Sequence, residues 1–193
     1  MNLYLIRHGI TDWNLQKRIQ GRIDRPLSES GRTTLGNKQI PEGWRAINWS
    51  VSPLLRAKQS AEILGISNPV IEPKLIEMNW GDWEGQVLKQ LRRQLGDPMR
   101  ENESRGLDLQ PPNGESPRAV MARVREWLDS LMPFESDQGA VVHKGIIRCV
   151  YALASGWDMR GESPVQFDWE KAHVFRLTQC GELLPDHDQI EMG

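Results

Sequence analysis

This sequence has little cysteine, few phenylalanine or tyrosine residues, no excess of either charge and no long apolar run. Two cysteines among 193 residues, Cys149 and Cys180, cannot build a disulfide framework. Neither lies in a C-x-x-C pair or a His/Cys cluster, so no metal site is expected and free thiols in a reducing compartment are. A formal charge of −2 from 24 basic and 26 acidic residues offers no basic patch for nucleic acid or an anionic membrane, and neither is expected as a partner. About five apolar residues precede Arg7, too few for a signal-peptide core or a membrane span. A cytoplasmic location is therefore expected.

What is present suits a soluble protein with a real core. At 38% hydrophobic and 26% charged, residues 1–193 are read as a single domain. Asn2-Leu3-Tyr4-Leu5-Ile6 is an apolar run of strand length, of the kind buried on both faces of a parallel sheet. Alternation predicts a second strand over 46–52. Ser52 as N-cap, Pro53 at the first helical position and Gly65 as the stop bound a helix. Ser28 or Ser30 opens a helix through Lys38, weakened by Gly31 and Gly36. A short strand is expected over 69–71 and a helix from Ser116-Pro117 with Val120, Val124, Trp127, Leu128 and Leu131 as its buried stripe. An apolar strand over 139–142 ends in His143, and a helix follows over 145–154. A last strand is expected over 173–177, at a sheet edge, and no pattern beyond Gly181. Residues 85–113 are polar and irregular and are read as a partly helical cover. Alternating strands and helices predict an α/β fold: a three-layer α/β/α sandwich with a mostly parallel central sheet and its active site at the carboxyl ends of the strands.

The chain uses one device twice. Strand 2–6 ends in Arg7-His8-Gly9 and strand 139–142 ends in His143. If both strands run parallel in one sheet, the two imidazoles emerge at the same edge. Either histidine alone reads as structural; two of only four in matching positions favour a site. Arg56 falls in the first turn of its helix, where a cation opposes the macrodipole at a cost of about 0.3–1 kcal/mol. An anion bound there would explain the placement. Two histidines and two arginines converging without metal-ligand spacing suggest an oxyanion pocket, with phosphate as the natural occupant. Neighbouring cations would also keep a histidine unprotonated and nucleophilic.

These blocks resemble the histidine phosphatase superfamily, whose best-known members are cofactor-dependent phosphoglycerate mutases. The resemblance begins with Arg7-His8-Gly9, Thr11, Trp13 and Asn14. It continues through Gly21-Arg22-x-Asp24-x-Pro26-Leu27-Ser28, Ser52-Pro53-Leu54-Leu55-Arg56-Ala57 and Glu77-Met78-Asn79-Trp80-Gly81-Asp82-Trp83-Glu84-Gly85. Gly114-Glu115-Ser116 and His143-Lys144-Gly145-Ile146-Ile147-Arg148 complete it, in family order. It implies that His8 is the nucleophile, that Arg7, Arg56 and His143 clamp the phosphate, and that Glu77 is the general acid. It also implies that Thr11, Asn14, Gly21 and Gly145 lie against the phosphate. Glu84 is expected to be structural. No cofactor is implied.

Two positions depart from the pattern. Ile10 stands where many members carry Glu or Gln. Lys144 stands where a small or polar residue is usual, and either contacts a second anionic group of the substrate or points to solvent. Replacing Lys144 with Ala is expected to raise KM for dianionic phosphomonoesters with little loss of kcat. A cover as short as 85–113 admits water, which favours hydrolysis over mutase transfer. The expectation is a metal-independent phosphomonoesterase acting on a small phosphorylated metabolite, in the style of the short phosphatases of the family such as those acting on α-ribazole phosphate. The alternatives are a phosphoglycerate mutase and a non-catalytic phospho-ligand or protein-binding relative. A homodimer is left open.

Overall fold

A computed structural model describes residues 1–132, 136–178 and 180–193. Its centre is β1 (Asn2–Arg7), flanked in the sheet by β4 (Gln138–Val142) and β5 (Ala172–Leu177). With β2 (Asn48–Val51), β3 (Val70–Ile71) and β6 (Leu183–Ile190), the strand order is β3-β2-β4-β1-β5-β6. The first four strands in that order run parallel; β5 runs antiparallel to β1, and β6 antiparallel to β5. The sheet is thus mostly parallel, as expected from the apolar strands.

Alternation along β1 explains the three layers. Leu3 and Leu5 join one core, with Val124, Trp127 and Ile147, while Tyr4 and Ile6 join a second core on the opposite face, with Trp49, Ala57 and Ala61. A strand whose neighbouring side chains enter different cores must be apolar at every position. Leu5 is fully buried, and its truncation to Ala would cost about 2–5 kcal/mol. The first face is covered by α6 (Pro117–Ser130) and α7 (Lys144–Ser155), the second by α2 (Glu29–Gly36) and α3 (Leu55–Ile63). The short α1 (Asp12–Leu15) follows the first strand. Between β3 and α6 the chain makes α4 (Leu88–Leu95) and α5 (Asp97–Ser104), whose Leu91 and Met99 pack on Trp83 in a third small cluster. The expected partly helical excursion is there.

Three local expectations need correction. Ser52 does not cap α3, which starts at Leu55 after an N-cap, Leu54, that has no side-chain bond. The Leu55 N–H donates instead to Asp24 Oδ1 at 2.8 Å, a carboxylate 31 residues earlier. By contrast Ser116 does cap α6, accepting from the Ala119 N–H at 3.2 Å. Second, β5 is not an edge: it pairs with β1 on one side and β6 on the other. Third, the segment beyond Gly181 forms β6. Its sequence, Leu183-Leu184-Pro185-Asp186-His187-Asp188-Gln189-Ile190, is polar because the outermost strand buries few of its side chains, and an edge tolerates Pro185.

Candidate active site

The site follows from one pairing. β1 lies beside β4 in parallel register, Arg7 opposite Val142, and the His8 N–H donates to the Val142 carbonyl at 2.9 Å. His8 and His143 therefore leave the sheet together, with ring centroids 5.0 Å apart. His8 Nδ1 lies 2.7 Å from the Gly9 carbonyl. A carbonyl only accepts, so Nδ1 carries the proton and Nε2 keeps a lone pair. Gly9 is held in turn by its N–H, which donates to Ser60 Oγ at 2.9 Å. Burial, then Arg56 and Arg7, push the His8 pKa well below its usual value, so the ring is neutral near pH 7.

His143 is fully buried, and its Nε2 lies 2.7 Å from Ser52 Oγ. Its pKa is also driven well below normal, first by burial and next by Arg56. If the Ser52 hydroxyl donates to Nε2, the ring proton sits on Nδ1, which is buried without a partner. Ser52, read from sequence as a helix cap, is thus a positioning group for His143.

Arg56 is 1% exposed. It donates from Nη2 to the Gly21 carbonyl at 2.7 Å and from Nη1 to the Ile23 carbonyl at 3.2 Å. Its Nε is buried and has no partner among the described residues, as is the case for the Nε of Arg7. Burial lowers both pKa values, that of Arg7 to about 10, with Glu77 opposing the shift. Among the described residues Arg7 Nε and Arg56 Nε are buried donors without acceptors, as is His143 Nδ1 in the tautomer that Ser52 would fix, and each would cost about 1–3 kcal/mol if left unsatisfied. Arg7 and Arg56 line one cavity with His8, where an oxyanion would bring acceptors to their guanidinium groups.

Glu77 closes the other side. It is 9% exposed; Oε1 accepts from the Met78 N–H at 2.9 Å and Oε2 from the Gly145 N–H at 3.2 Å. Burial raises its pKa against those two bonds. A buried carboxyl with a raised pKa is suited to carry a proton.

The remaining expected residues divide. Asn14 and Gly21 line the same cavity as His8, Arg56 and Glu77. Gly21 adopts φ +54° with Glu84 packed where a Cβ would go. Thr11 is fully buried and its hydroxyl is already engaged: it donates to Gln20 Oε1 at 2.8 Å and accepts from the Asn14 N–H as the cap of α1. The expected bond from Thr11 to phosphate has no free hydroxyl to make it. The Gly145 N–H is likewise taken, by Glu77. Lys144 sits at the cavity rim with Nζ 4.7 Å from the Trp169 ring centre. Glu84 accepts from the Arg22, Ile23 and Trp80 N–H groups and is structural, as expected.

Sequence reasoning missed a supporting network. Arg22 Nη2 pairs with Glu115 at 3.1 Å, and Glu115 also takes Arg123 and the Asn79 N–H at 2.9 Å. Arg22, Asn79 and Glu115 fall within the family blocks without an assigned role, and Arg123 carries no local signal, since Glu115 reaches it only in the fold. The cavity that Arg7, His8, Arg56 and Glu77 share holds about 430 Å³, and a second of about 660 Å³ opens beside Arg7 and His8 towards Trp169, both within the range of about 300–1,000 Å³ typical of small-molecule sites.

These features place the chain among mixed α/β proteins whose site lies at the carboxyl ends of parallel strands. The chain belongs to the histidine phosphatase superfamily (branch 1), whose model matches residues 3–183. It is similar to an uncharacterized phosphatase, PhoE, of Bacillus subtilis, 36% identical over an alignment covering 51% of this chain and 53% of that one. It is also similar to a probable phosphoglycerate mutase, GpmB, of Cronobacter sakazakii, 30% identical over 98% of this chain and 86% of the relative. Among solved structures it resembles a mycobacterial glucosyl-3-phosphoglycerate phosphatase complexed with VO3. That likeness has a TM-score of 0.80 at 26% identity and covers 100% of this chain and 99% of that one.

Proposed function

We propose that the protein is a metal-independent phosphomonoesterase that works through a phosphohistidine on His8. The observation that carries the reading is the locked tautomer of His8, an unprotonated Nε2 in a cavity also lined by Arg7 and Arg56, whose Nε donors have no partner among the described residues. In the first step Nε2 attacks phosphorus, the bond from phosphorus to the alcohol oxygen breaks, and Glu77 gives that oxygen its proton. In the second, water attacks phosphorus, Glu77 takes the water proton, and the bond to Nε2 breaks to release phosphate. Arg7, Arg56 and His143 meet the negative charge as it spreads over the phosphoryl oxygens.

Hydrolysis is favoured over mutase transfer because only residues 85–113 serve as a cover, leaving water access to the intermediate. The mutase remains the second reading, supported by the names of several relatives. The test is turnover of a phosphomonoester panel in EDTA, wild type against His8→Ala, with an alkaline-quench search for labelled protein whose label is released by acid. Turnover surviving in His8→Ala would sink the phosphohistidine, and loss of wild-type turnover in EDTA would sink metal independence. Isomerisation of 3-phosphoglycerate with little free phosphate, on adding the bisphosphate cofactor, would transfer the reading to a mutase.

A further inference from the structure

Two cations on α7 have no part in the phosphoryl chemistry. Lys144 and Arg148 stand four residues apart, so they share a helix face. Each lies over an indole ring at 4.7 Å, Lys144 on Trp169 and Arg148 on Trp157, and both line the cavity that holds His8. Among the described residues neither makes a hydrogen bond or an ion pair with a carboxylate. Glu103 lines the same cavity and its Oε1 accepts from Arg92 at 2.6 and 2.9 Å; among the described residues it makes no ion pair with Lys144 or Arg148. Although much of Lys144 faces solvent, its ammonium over the Trp169 ring is destabilised by burial, Arg7 and Arg148, to a pKa of about 8. Burial lowers the pKa of Arg148 as well. A stem alone could pack on Trp157; a half-buried guanidinium without a counter-ion is explained by a ligand that brings one.

We infer that Arg148, with Lys144, binds a second oxyanion carried by the alcohol portion of the substrate. The helix sets Arg148 apart from His143. His143 immediately precedes α7, and Arg148 is five residues further on, about 7.5 Å along the axis at 1.5 Å per residue. Met78, Trp80, Leu109 and Met159 line the same cavity and give it apolar wall. The substrate class is therefore a phosphomonoester with a carboxylate or second phosphate held across an apolar or aromatic spacer. This rests on the phosphatase reading above for the position of the phosphoryl group.

The test compares benzyl phosphate with its carboxybenzyl and phosphonobenzyl counterparts, by kcat/KM, in wild type, Arg148→Met and Arg148→Lys. Wild type is expected to prefer the charged compounds at least tenfold. Arg148→Met should bring that ratio to about one through KM, and Arg148→Lys should keep most of it. A wild-type ratio near one, or a ratio unchanged in Arg148→Met, overturns the inference; a merely structural Arg148 would lower all substrates alike. The carboxylate and phosphonate arms separate the two sources of the oxyanion. Calorimetric binding of the matching non-hydrolysable phosphonates keeps the two readings apart. A tenfold binding preference that Arg148→Met abolishes supports the subsite even if no compound is turned over. Turnover without a preference overturns the subsite and leaves the phosphatase standing.

Discussion

Glu77 and Gly145 are built against each other: the Gly145 N–H donates to Glu77 Oε2 at 3.2 Å, and the carboxylate occupies the space where a Cβ on Gly145 would stand. Glycine is required here by close approach, since Gly145 sits in the first turn of α7 with no left-handed φ to accommodate. Gly145→Ala must displace the Glu77 carboxyl from its seat. A misplaced general acid forfeits about 10²–10⁴ in rate, so kcat is expected to fall at least 100-fold. Circular dichroism should stay that of the wild type. Retained kcat would show that Glu77 does not act from this position.

Ser52 gives a second prediction. Its Oγ lies 2.7 Å from His143 Nε2 and orients a ring that has no other hydrogen-bond partner among the described residues. Ser52→Ala leaves Nε2 unsatisfied in a buried setting and frees the tautomer to change. A loss of about 1–1.5 kcal/mol, the net worth of one such bond, corresponds to roughly a tenfold fall in kcat/KM. Ring nitrogen shifts in an NMR spectrum would report the tautomer directly. If Ser52→Ala keeps both the shifts and kcat/KM, Ser52 is no positioning residue.

The history of Ser52 shows what the sequence could and could not carry. Strand patterns, the matching His8 and His143, and the ordered family blocks are local, and they located the sheet, the family and the groups at its edge. The partners of those groups are not local. Asp24 caps α3 across 31 residues, Ser60 holds Gly9 across 51, and Ser52 meets His143 across 91. Each is a small polar residue whose neighbours in sequence give no hint of its target. Likewise β6 is hidden because an edge strand with polar outward residues resembles a loop, while Thr11 matched a family position yet bonds inward to Gln20.

Asp24 tests that long-range cap. Its Oδ1 accepts the Leu55 N–H at 2.8 Å, and its charge also supports the buried Arg56 cation. Asp24→Ala removes an N-cap worth about 0.5–2 kcal/mol and loosens the helix turn that carries Arg56. Urea titration should show destabilisation in that range, together with a raised KM for phosphomonoesters. Stability equal to wild type would refute the cap.

The raised pKa of Glu77 sets a pH dependence. As general acid Glu77 works in its protonated form, and burial keeps that form to a higher pH than an exposed carboxyl would. The kcat/KM profile should therefore decline as pH rises through the Glu77 pKa, from its acid side to its alkaline side. His8 contributes no acid limb near neutrality, because its own pKa lies well below the usual value. Glu77→Gln cannot titrate, so its residual activity should lose the decline. A Glu77→Gln profile that keeps the wild-type limb would assign it to another group.

His173 should make folding stability sensitive to acid. It is fully buried on β5, with Nδ1 3.0 Å from His187 Nε2 and with Phe167 and Trp169 against its ring. Burial, then His187, lower its pKa to about 4, while Asp168 opposes the shift. In the unfolded chain the same ring titrates at about 6.5. Between those values the unfolded state binds a proton that the folded state does not, so stability falls as pH drops. The contribution is intact above pH about 6.5 and is lost progressively down to pH about 4. A difference of some 2.5 pH units corresponds to on the order of 3 kcal/mol. His8 and His143 act in the same direction, so the test is a difference between proteins. His173→Phe keeps an aromatic ring among aromatic neighbours and removes this titration. Its drop in unfolding free energy from pH 7.5 to 4.5 should be smaller than that of wild type by about 2 kcal/mol, and an equal drop would place the acid sensitivity elsewhere.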